Sequence, residues 1–174
     1  IEFNGSNYDF VGGRGYIEKD WGRNFPENWI WAQSNNFSNN DLSITASLAS
    51  IPWKNTAFAG FIVGLYYKSK LYRFTTYRNT VIQEIHYDSN KFFWQLKQKN
   101  LTLELTIEKG HKPGLLYAPD KIDMVPRVHE YLDGNIYLKL YDHKDTILED
   151  HTTSAAIEII GNTNKLINMA SPAQ

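Results

Sequence analysis

The sequence alternates apolar and polar residues without interruption in LTLELTIE, residues 101–108. Because successive side chains of a β-strand point to opposite faces of a sheet, this pattern predicts a half-buried antiparallel strand. Weaker versions of the alternation occur in residues 81–87, 91–96 and 135–141. A last apolar run, residues 155–160, ends at a Gly-Asn turn. The chain is therefore predicted to consist mainly of strands.

Further strands are predicted upstream, separated by turn sequences rich in Asn, Asp, Ser and Lys. They cover residues 15–21, 29–37, 42–51, 57–67 and 71–77. Residues 125–132 fit either a strand or a short helix, and residues 110–123 are interpreted as a long connection. The tail after residue 161 is polar and is expected to be loosely held. Turns roughly every ten residues are typical of a sandwich or barrel. We therefore predict one all-β domain over residues 1–174, an antiparallel β-barrel or a closely related curved sheet with little helix.

The composition is that of an ordinary globular protein with an unusually large share of aromatic residues. The 174 residues include 18 Lys and Arg and 19 Asp and Glu, which gives a formal net charge of −1. This balance argues against a disordered chain and against a nucleic-acid binder, which needs a positive field. The absence of cysteine removes disulfides and thiolate chemistry. The 5 Trp, 11 Tyr and 9 Phe residues suggest a cavity lined with rings.

The sequence also bears on location. No run reaches the roughly 18 apolar residues of a membrane helix, and no positively charged start precedes an apolar run as in a signal peptide. We therefore expect a cytoplasmic protein without an integral membrane segment, and peripheral association with a membrane stays open. Because the chain begins at Ile1 and not at Met, we expect a fragment, a trimmed domain or a processed product.

Residues that bind metals and phosphates are present without their usual spacing. The histidines form no i, i+4 pair of the kind that holds zinc on a helix, so we predict no metal site. The glycine-rich residues 12–15 lack the patterns that bind phosphates and are interpreted as a bend. No G-x-S-x-G sequence marks a serine nucleophile. Histidine occurs at five positions: His86, His111, His129, His143 and His151.

Two carboxylates in GYIEKDWG, residues 15–22, have the spacing of one strand face. On a strand, Tyr16, Glu18 and Asp20 share that face, and the two carboxylates lie about 7 Å apart. If both faced an apolar cavity, they could not easily both ionise, and one would hold a proton at neutral pH. Such an acid is able to protonate a weak base, for example an alkene.

Aromatic and amide side chains follow on the next predicted strand, where Trp29, Trp31, Gln33 and Asn35 share one face. Aromatic faces stabilise cations, and amide side chains orient hydroxyl groups. The alternative, which the pattern alone favours, leaves the two carboxylates in solvent and the tryptophans in the core.

The same two segments carry a resemblance to a known family. GYIEKDWGRNFP, residues 15–26, followed by WIWAQSN, residues 29–35, resembles the signature of the tocopherol cyclase family. Further matches bring the resemblance to residues 12–161: they are residues 57–61, 72–77, 118–119, 132–134 and 156–161. The resemblance implies a lipocalin-like β-barrel, usually with two such domains in one chain. This chain resembles the C-terminal part, so the N-terminal half of the same chain would be a missing partner.

The resemblance also implies a reaction. In the plant enzymes a prenyl double bond is protonated and a phenol oxygen captures the tertiary cation, which closes a chromanol ring without a cofactor. Glu18 or Asp20 would be the acid. The substrate-binding residues would be Tyr16, Trp21, Trp29, Trp31, Gln33 and Asn35, among which the tryptophans would shield the cation.

The expected partner is therefore a hydrophobic small molecule, prenylated or lipid-like, and neither a cofactor nor nucleic acid is expected. Related folds host other reactions, so the fold does not decide the chemistry. The Lys- and Asn-rich composition is typical of a bacterial chain from an AT-rich genome. Which prenylated or polyketide-like lipid is the substrate stays open.

Two other functions stay open on the sequence. The chain could be a non-catalytic carrier that holds a lipid or isoprenoid in its cavity. Alternatively, it could be a dimerising or scaffold half in which Trp53, Phe58 and Phe61 form an exposed apolar patch.

Overall fold

The computed structural model describes residues 1–21, 25–120 and 122–172. Residues 22–24 of the quoted signature and residue 121 of the predicted connection lie outside this description. The described chain forms twelve strands, a short 3₁₀ turn at Thr76–Arg78 and one helix, α1, at Thr163–Ala170. The strands are β1 (Glu2–Phe3), β2 (Ser6–Asn7), β3 (Trp29–Ser34), β4 (Leu42–Trp53), β5 (Thr56–Tyr67), β6 (Lys70–Thr75), β7 (Val81–Asp88), β8 (Lys91–Gln98), β9 (Leu101–Glu108), β10 (Pro113–Asp120), β11 (Asp123–Asp142) and β12 (Asp145–Ile160).

Ten of these strands form one antiparallel sheet in the order β6-β5-β4-β3-β12-β11-β9-β8-β7, with β10 beside β11. The alternating run that opened the sequence analysis is β9, and its apolar residues Leu103, Leu105 and Ile107 are all buried. The prediction of an all-β antiparallel fold with little helix is confirmed. β1 and β2 form a separate small hairpin.

The sheet curls until its two ends share one core. Phe61 of β5 and Trp94 of β8 are far apart in the strand order, yet their rings pack edge to face with centroids 5.5 Å apart. The Gln98 amide nitrogen at the end of β8 lies 3.0 Å and 3.1 Å from the carbonyl oxygens of Arg73 and Arg78. Over the described strands, β6 and β7 are not hydrogen-bonded to each other. The architecture is therefore a strongly curved sheet whose ladder does not close.

One side of the sheet, here called the core face, is packed with large apolar side chains. The largest fully buried ones are Trp94, Phe74 and Phe92, and they belong to one cluster that includes residues of β3 to β9, β11, β12 and α1. The sequence predicts a cavity inside a barrel, but the structure places the ring-lined cavity on the opposite side, here called the open face. The exposed patch suggested from the sequence is not formed as predicted. Trp53 and Phe58 are exposed to solvent, but Phe61 is buried in the core.

The predicted strand at residues 15–21 was wrong. The chain there has no regular secondary structure and belongs to no sheet. β3 is already paired with β12 on one side and β4 on the other, so the segment has no free edge beside it and lies across the open face. Residues 16–21 are called the N-terminal arm below. The alternation holds at the start of the arm, where Ile17 is 96% exposed and Tyr16 and Glu18 line the cavity, but it ends at Asp20 and Trp21, which both line it.

The predicted connection at residues 110–123 was also wrong, because it contains β10. Pro113 and Pro119 are compatible with a strand here because β10 pairs only with β11 among the described strands and so has a free edge. Residues 125–132, which fitted a strand or a helix, belong to β11.

Within the tail after Gly161, residues Thr163–Ala170 form α1 and are held against the sheet. The Asn162 side chain accepts a hydrogen bond from the Lys165 backbone nitrogen at 2.9 Å and so caps the helix. Leu166 and Ala170, four residues apart on one helical face, are buried in the main core. This spacing was present in the sequence, but the segment is barely longer than two turns.

Replacing Leu166 by alanine is expected to lower the free energy of unfolding by about 2–5 kcal/mol, because the lost side chain leaves a cavity in the core. Urea denaturation followed by circular dichroism measures this change. Asn164→Ala is the matched control, since Asn164 is exposed on the same helix. Equal stability of the two variants would show that α1 does not pack on the sheet.

Candidate functional site

The open face carries a cavity of about 690 Å³ between the N-terminal arm and the outward side chains of β3, β4, β5 and β12. Its floor follows one cross-strand row, in which Glu158 of β12 pairs with Trp31 of β3, Trp31 with Ser47 of β4, and Ser47 with Ile62 of β5. Small residues on β4 leave a depression beside the indole rings. The lining residues are Tyr16, Glu18, Asp20, Trp21, Phe25, Pro26, Trp29, Trp31, Thr45, Ser47, Ala49, Ile51, Ile62 and Glu158.

A second apolar cluster supports one end of the cavity. Trp29 of β3 and Ala49 of β4 pack there with Ala118 of β10 and Val128 of β11. The Phe25 ring meets Trp29 edge to face at 6.1 Å, and the Arg127 guanidinium lies 5.8 Å from the centre of the Trp29 ring. The indole of Trp29 is therefore buried and already has a cation against it.

The Glu18 carboxylate is fixed by two donors within the cavity wall. The Tyr16 hydroxyl donates to Glu18 Oε2, and Trp31 Nε1 donates to the same oxygen at 3.3 Å. The Thr45 hydroxyl lies 3.1 Å from the Tyr16 oxygen. Partial burial, reinforced by the hydrogen bond to Glu18, raises the pKa of Tyr16 to about 12. Tyr16 therefore stays protonated at neutral pH and acts as a donor.

Asp20 and Trp21 line the outer part of the cavity and remain exposed. The Lys19 ammonium group lies 5.6 Å from the centre of the Trp21 ring. Six of the eight residues singled out in the sequence thus line one cavity: Tyr16, Glu18, Asp20, Trp21, Trp29 and Trp31.

Gln33 and Asn35 do not line this cavity, although they follow Trp31 on the same face of the sequence pattern. Gln33 is buried. Asn35 holds the segment before the arm: an Arg14 guanidinium nitrogen donates to the Asn35 carbonyl oxygen at 2.8 Å, and the Asn35 amide donates to the Arg14 carbonyl oxygen at 3.3 Å. The face predicted for Trp29, Trp31, Gln33 and Asn35 thus extends beyond the cavity, and its last residue, Asn35, binds the segment that precedes the arm.

A third carboxyl group in the cavity, that of Glu158, was not predicted. It is partly buried, and Trp29 Nε1 donates to its Oε2 at 2.6 Å. On the other side of β12 it pairs directly with Glu130 of β11. Burial raises the pKa of Glu158, the hydrogen bond from Trp29 works against this rise, and the carboxylates of Glu130, Glu18 and Asp20 reinforce it. The signal in the sequence is a single charge within the apolar run 155–160.

Within residues 1–21, 25–120 and 122–172, no group of three or more His, Asp or Glu side chains is arranged to hold a metal ion. No helix in the same ranges is long and apolar enough to cross a membrane.

Comparisons with known proteins point to one family. A probable chloroplastic tocopherol cyclase of Oryza sativa subsp. japonica is 29% identical over 92% of this chain and 36% of its own length. The chloroplastic tocopherol cyclase of Zea mays is 27% identical over the same shares. The chain thus spans about a third of these relatives. A crystal structure of acetoacetate decarboxylase from Legionella pneumophila aligns over 92% of this chain and 96% of its own, with 11% identity and a TM-score of 0.29.

The family match covers far more than the signature around the arm. The sequence model described as tocopherol cyclase-like matches residues 1–161, which include the arm, β3 to β5 and Glu158. The resemblance stated from the sequence is therefore confirmed, and the chain belongs to the tocopherol cyclase-like family.

Proposed function

We propose that the open-face cavity binds a hydrophobic prenylated compound and takes part in its proton-initiated cyclisation or isomerisation without a cofactor. The observation that carries this proposal is the meeting of three carboxyl groups and three indole rings in one cavity. The names of the two plant relatives make a prenylated quinol the first substrate to test.

The chemistry needs a proton donor for an alkene carbon and an acceptor for the proton of the attacking hydroxyl group. We propose that the carboxyl groups of the cavity carry out these proton transfers, with Glu18 and Asp20 of the arm on the acceptor side. Between the two steps a tertiary cation must be shielded from water, which an aromatic face does well. Trp31 suits this role, because Trp29 and Trp21 already lie against Arg127 and Lys19.

The proposal extends to the rest of the fold. The curved sheet would correspond to one lipocalin-like domain, and a further domain of a longer chain would cover the open face. Supporting this, Trp21 is 84% exposed at the mouth of the cavity, and the plant relatives are nearly three times as long as the matched region.

Incubation of the protein with a prenylated quinol, followed by chromatography and mass spectrometry, tests the function. We expect a product of unchanged mass in which one double bond is replaced by a ring. The control substrate has a saturated first prenyl unit, which cannot form the cation and should bind without reacting. Binding of both compounds with no ring closure would contradict the enzyme proposal.

A carrier function is the second candidate, favoured by the apolar end of the cavity around Trp29, Ala49 and Ile51. Native mass spectrometry of gently purified protein distinguishes the two. A chemically unaltered lipid retained in the complex favours the carrier, whereas an empty cavity that turns over added quinol favours the enzyme.

A further inference from the structure

We infer that Glu158 donates the proton that starts the reaction and that the Trp29 indole positions its carboxyl group. This inference rests on the proposed function, which it deepens by naming the donor. It differs from the sequence expectation, in which Glu18 or Asp20 is the acid.

The position of Glu158 sets it apart from the other two carboxyl groups that line the cavity. Glu18 and Asp20 are exposed and belong to an arm outside the sheet. Glu158 projects from a strand that is paired on both sides, with Trp31 of β3 and Glu130 of β11 as its direct neighbours. Among the described carboxyl groups of the cavity wall, it alone is partly buried and rigidly mounted.

The charges around Glu158 favour the protonated form. Glu130 faces it from β11, and Glu18 and Asp20 face it from the arm. Two carboxylates held side by side do not readily both ionise. The Arg127 guanidinium of β11 lies 5.8 Å from the centre of the Trp29 ring and donates to the Pro119 carbonyl oxygen at 3.3 Å. Within the described residues, no Lys, Arg or His forms an ion pair with Glu158.

The hydrogen bond from Trp29 decides which oxygen carries the proton. An indole N–H is a donor only, so Glu158 Oε2 must accept from it. The proton of the neutral carboxyl group is therefore assigned to Oε1, which has no hydrogen-bond partner among the described residues. For the transfer, the alkene carbon must lie within hydrogen-bond reach of Oε1 when the substrate occupies the cavity that Glu158 lines.

The step balances without a further reactant. The Glu158 O–H bond breaks and its proton forms a C–H bond with the less substituted alkene carbon. The substrate hydroxyl oxygen forms a C–O bond to the resulting tertiary cation and releases its proton to Glu18, whose Oε2 is oriented by Tyr16 and Trp31. Because Glu18 is exposed, solvent returns the proton to Glu158, and the substrate is isomerised with no net change of composition.

Replacing Glu158 by glutamine tests the donor role, because Gln keeps an oxygen acceptor for Trp29 and loses the acid. We expect kcat for the prenylated quinol to fall at least about 100-fold, the lower end of general-acid contributions. The Kd of the saturated analogue, followed by Trp fluorescence, should not change. Glu149→Gln is the control for loss of a carboxylate, since Glu149 lies on the same strand outside the cavity.

The pH profile separates a donor from a structural residue. The active form is protonated, so kcat should fall as pH rises through the raised pKa of Glu158. Glu130→Gln removes a neighbouring charge and should move this fall to lower pH. Wild-type kcat in Glu158→Gln, or an unmoved profile in Glu130→Gln, would overturn the inference.

The pH dependence of the free energy of unfolding tests whether Glu158 holds a proton, and it needs no activity assay. The folded state holds this proton more tightly than the unfolded chain. The contribution of Glu158 to wild-type stability therefore falls as pH rises above the pKa of an unfolded glutamate, about 4.3. The stability advantage of Glu158→Gln over wild type should therefore grow with pH, and a constant difference would overturn the inference. Absence of turnover by wild type, with this growth still observed, would refute the proposed function and the donor role but leave the bound proton established.

Discussion

Turnover of a prenylated quinol is expected to fall by about 10²- to 10⁴-fold when Glu18→Gln and Asp20→Asn are combined, because both carboxylates of the arm are then unable to exchange protons with the substrate. Most of the loss should come from Glu18→Gln. Glu18 is oriented by Tyr16 and Trp31, whereas Asp20 makes no hydrogen bond with the described residues. Steady-state kinetics of the two single variants and the double variant measure how much of the lost turnover each carboxylate accounts for.

The two carboxylates are exposed, so their amide replacements should leave the fold and the Kd of the saturated analogue unchanged. Asp9→Asn is the matched control, because Asp9 is an exposed carboxylate of the same N-terminal region outside the cavity. If both single variants keep the wild-type rate, the assignment of proton transfer to the arm is wrong.

Binding is expected to weaken by about 100-fold when Ser47 is replaced by tryptophan. Ser47 lies in the floor of the cavity between Trp31 and Ile62, and an indole there would occupy the depression. Displacing one prenyl unit forfeits about 0.8 kcal/mol for each buried CH₂ group, which is enough for a change of this size. Isothermal titration with the saturated prenylated quinol measures Kd.

Ser43→Trp provides the control for this substitution. Ser43 lies on the same face of β4, four residues before Ser47 and outside the cavity wall. Both variants place an indole on the open face, so a general effect on folding would appear in both. Equal, unchanged affinities would show that the ligand does not occupy this cavity.

Much of the fold follows from the alternation of apolar and polar residues along the sequence. Alternation fixes which side chains of β9 face the core, and the strand bounds Leu101–Glu108 coincide with the alternating run. The degree of closure does not follow, because it depends on contacts between distant strands such as that of Phe61 with Trp94. β10 was missed because Pro113 and Pro119 argue against a central strand, and its position at an edge is a tertiary property.

Part of the candidate site could also be predicted from the sequence, for a different reason. Tyr16, Glu18 and Asp20 all line the cavity although the arm is not a strand, and so does Trp21, which a strand would place on the other face. Gln33 continues the face of Trp31, but the cavity ends before it. Glu158 was missed because a single charge in a strand is normally read as solvent-facing, and only the pairing with Glu130 and Trp31 shows its surroundings.

The location of the ligand decides most directly whether the open face is the functional one. A crystal structure of the protein with the saturated prenylated quinol measures it. We expect the prenyl chain between the N-terminal arm and the floor formed by Trp31 and Ser47, with its first unit near Glu158. A ligand lodged among the core-face side chains around Trp94 and Phe74, or elsewhere on the surface, would contradict this assignment.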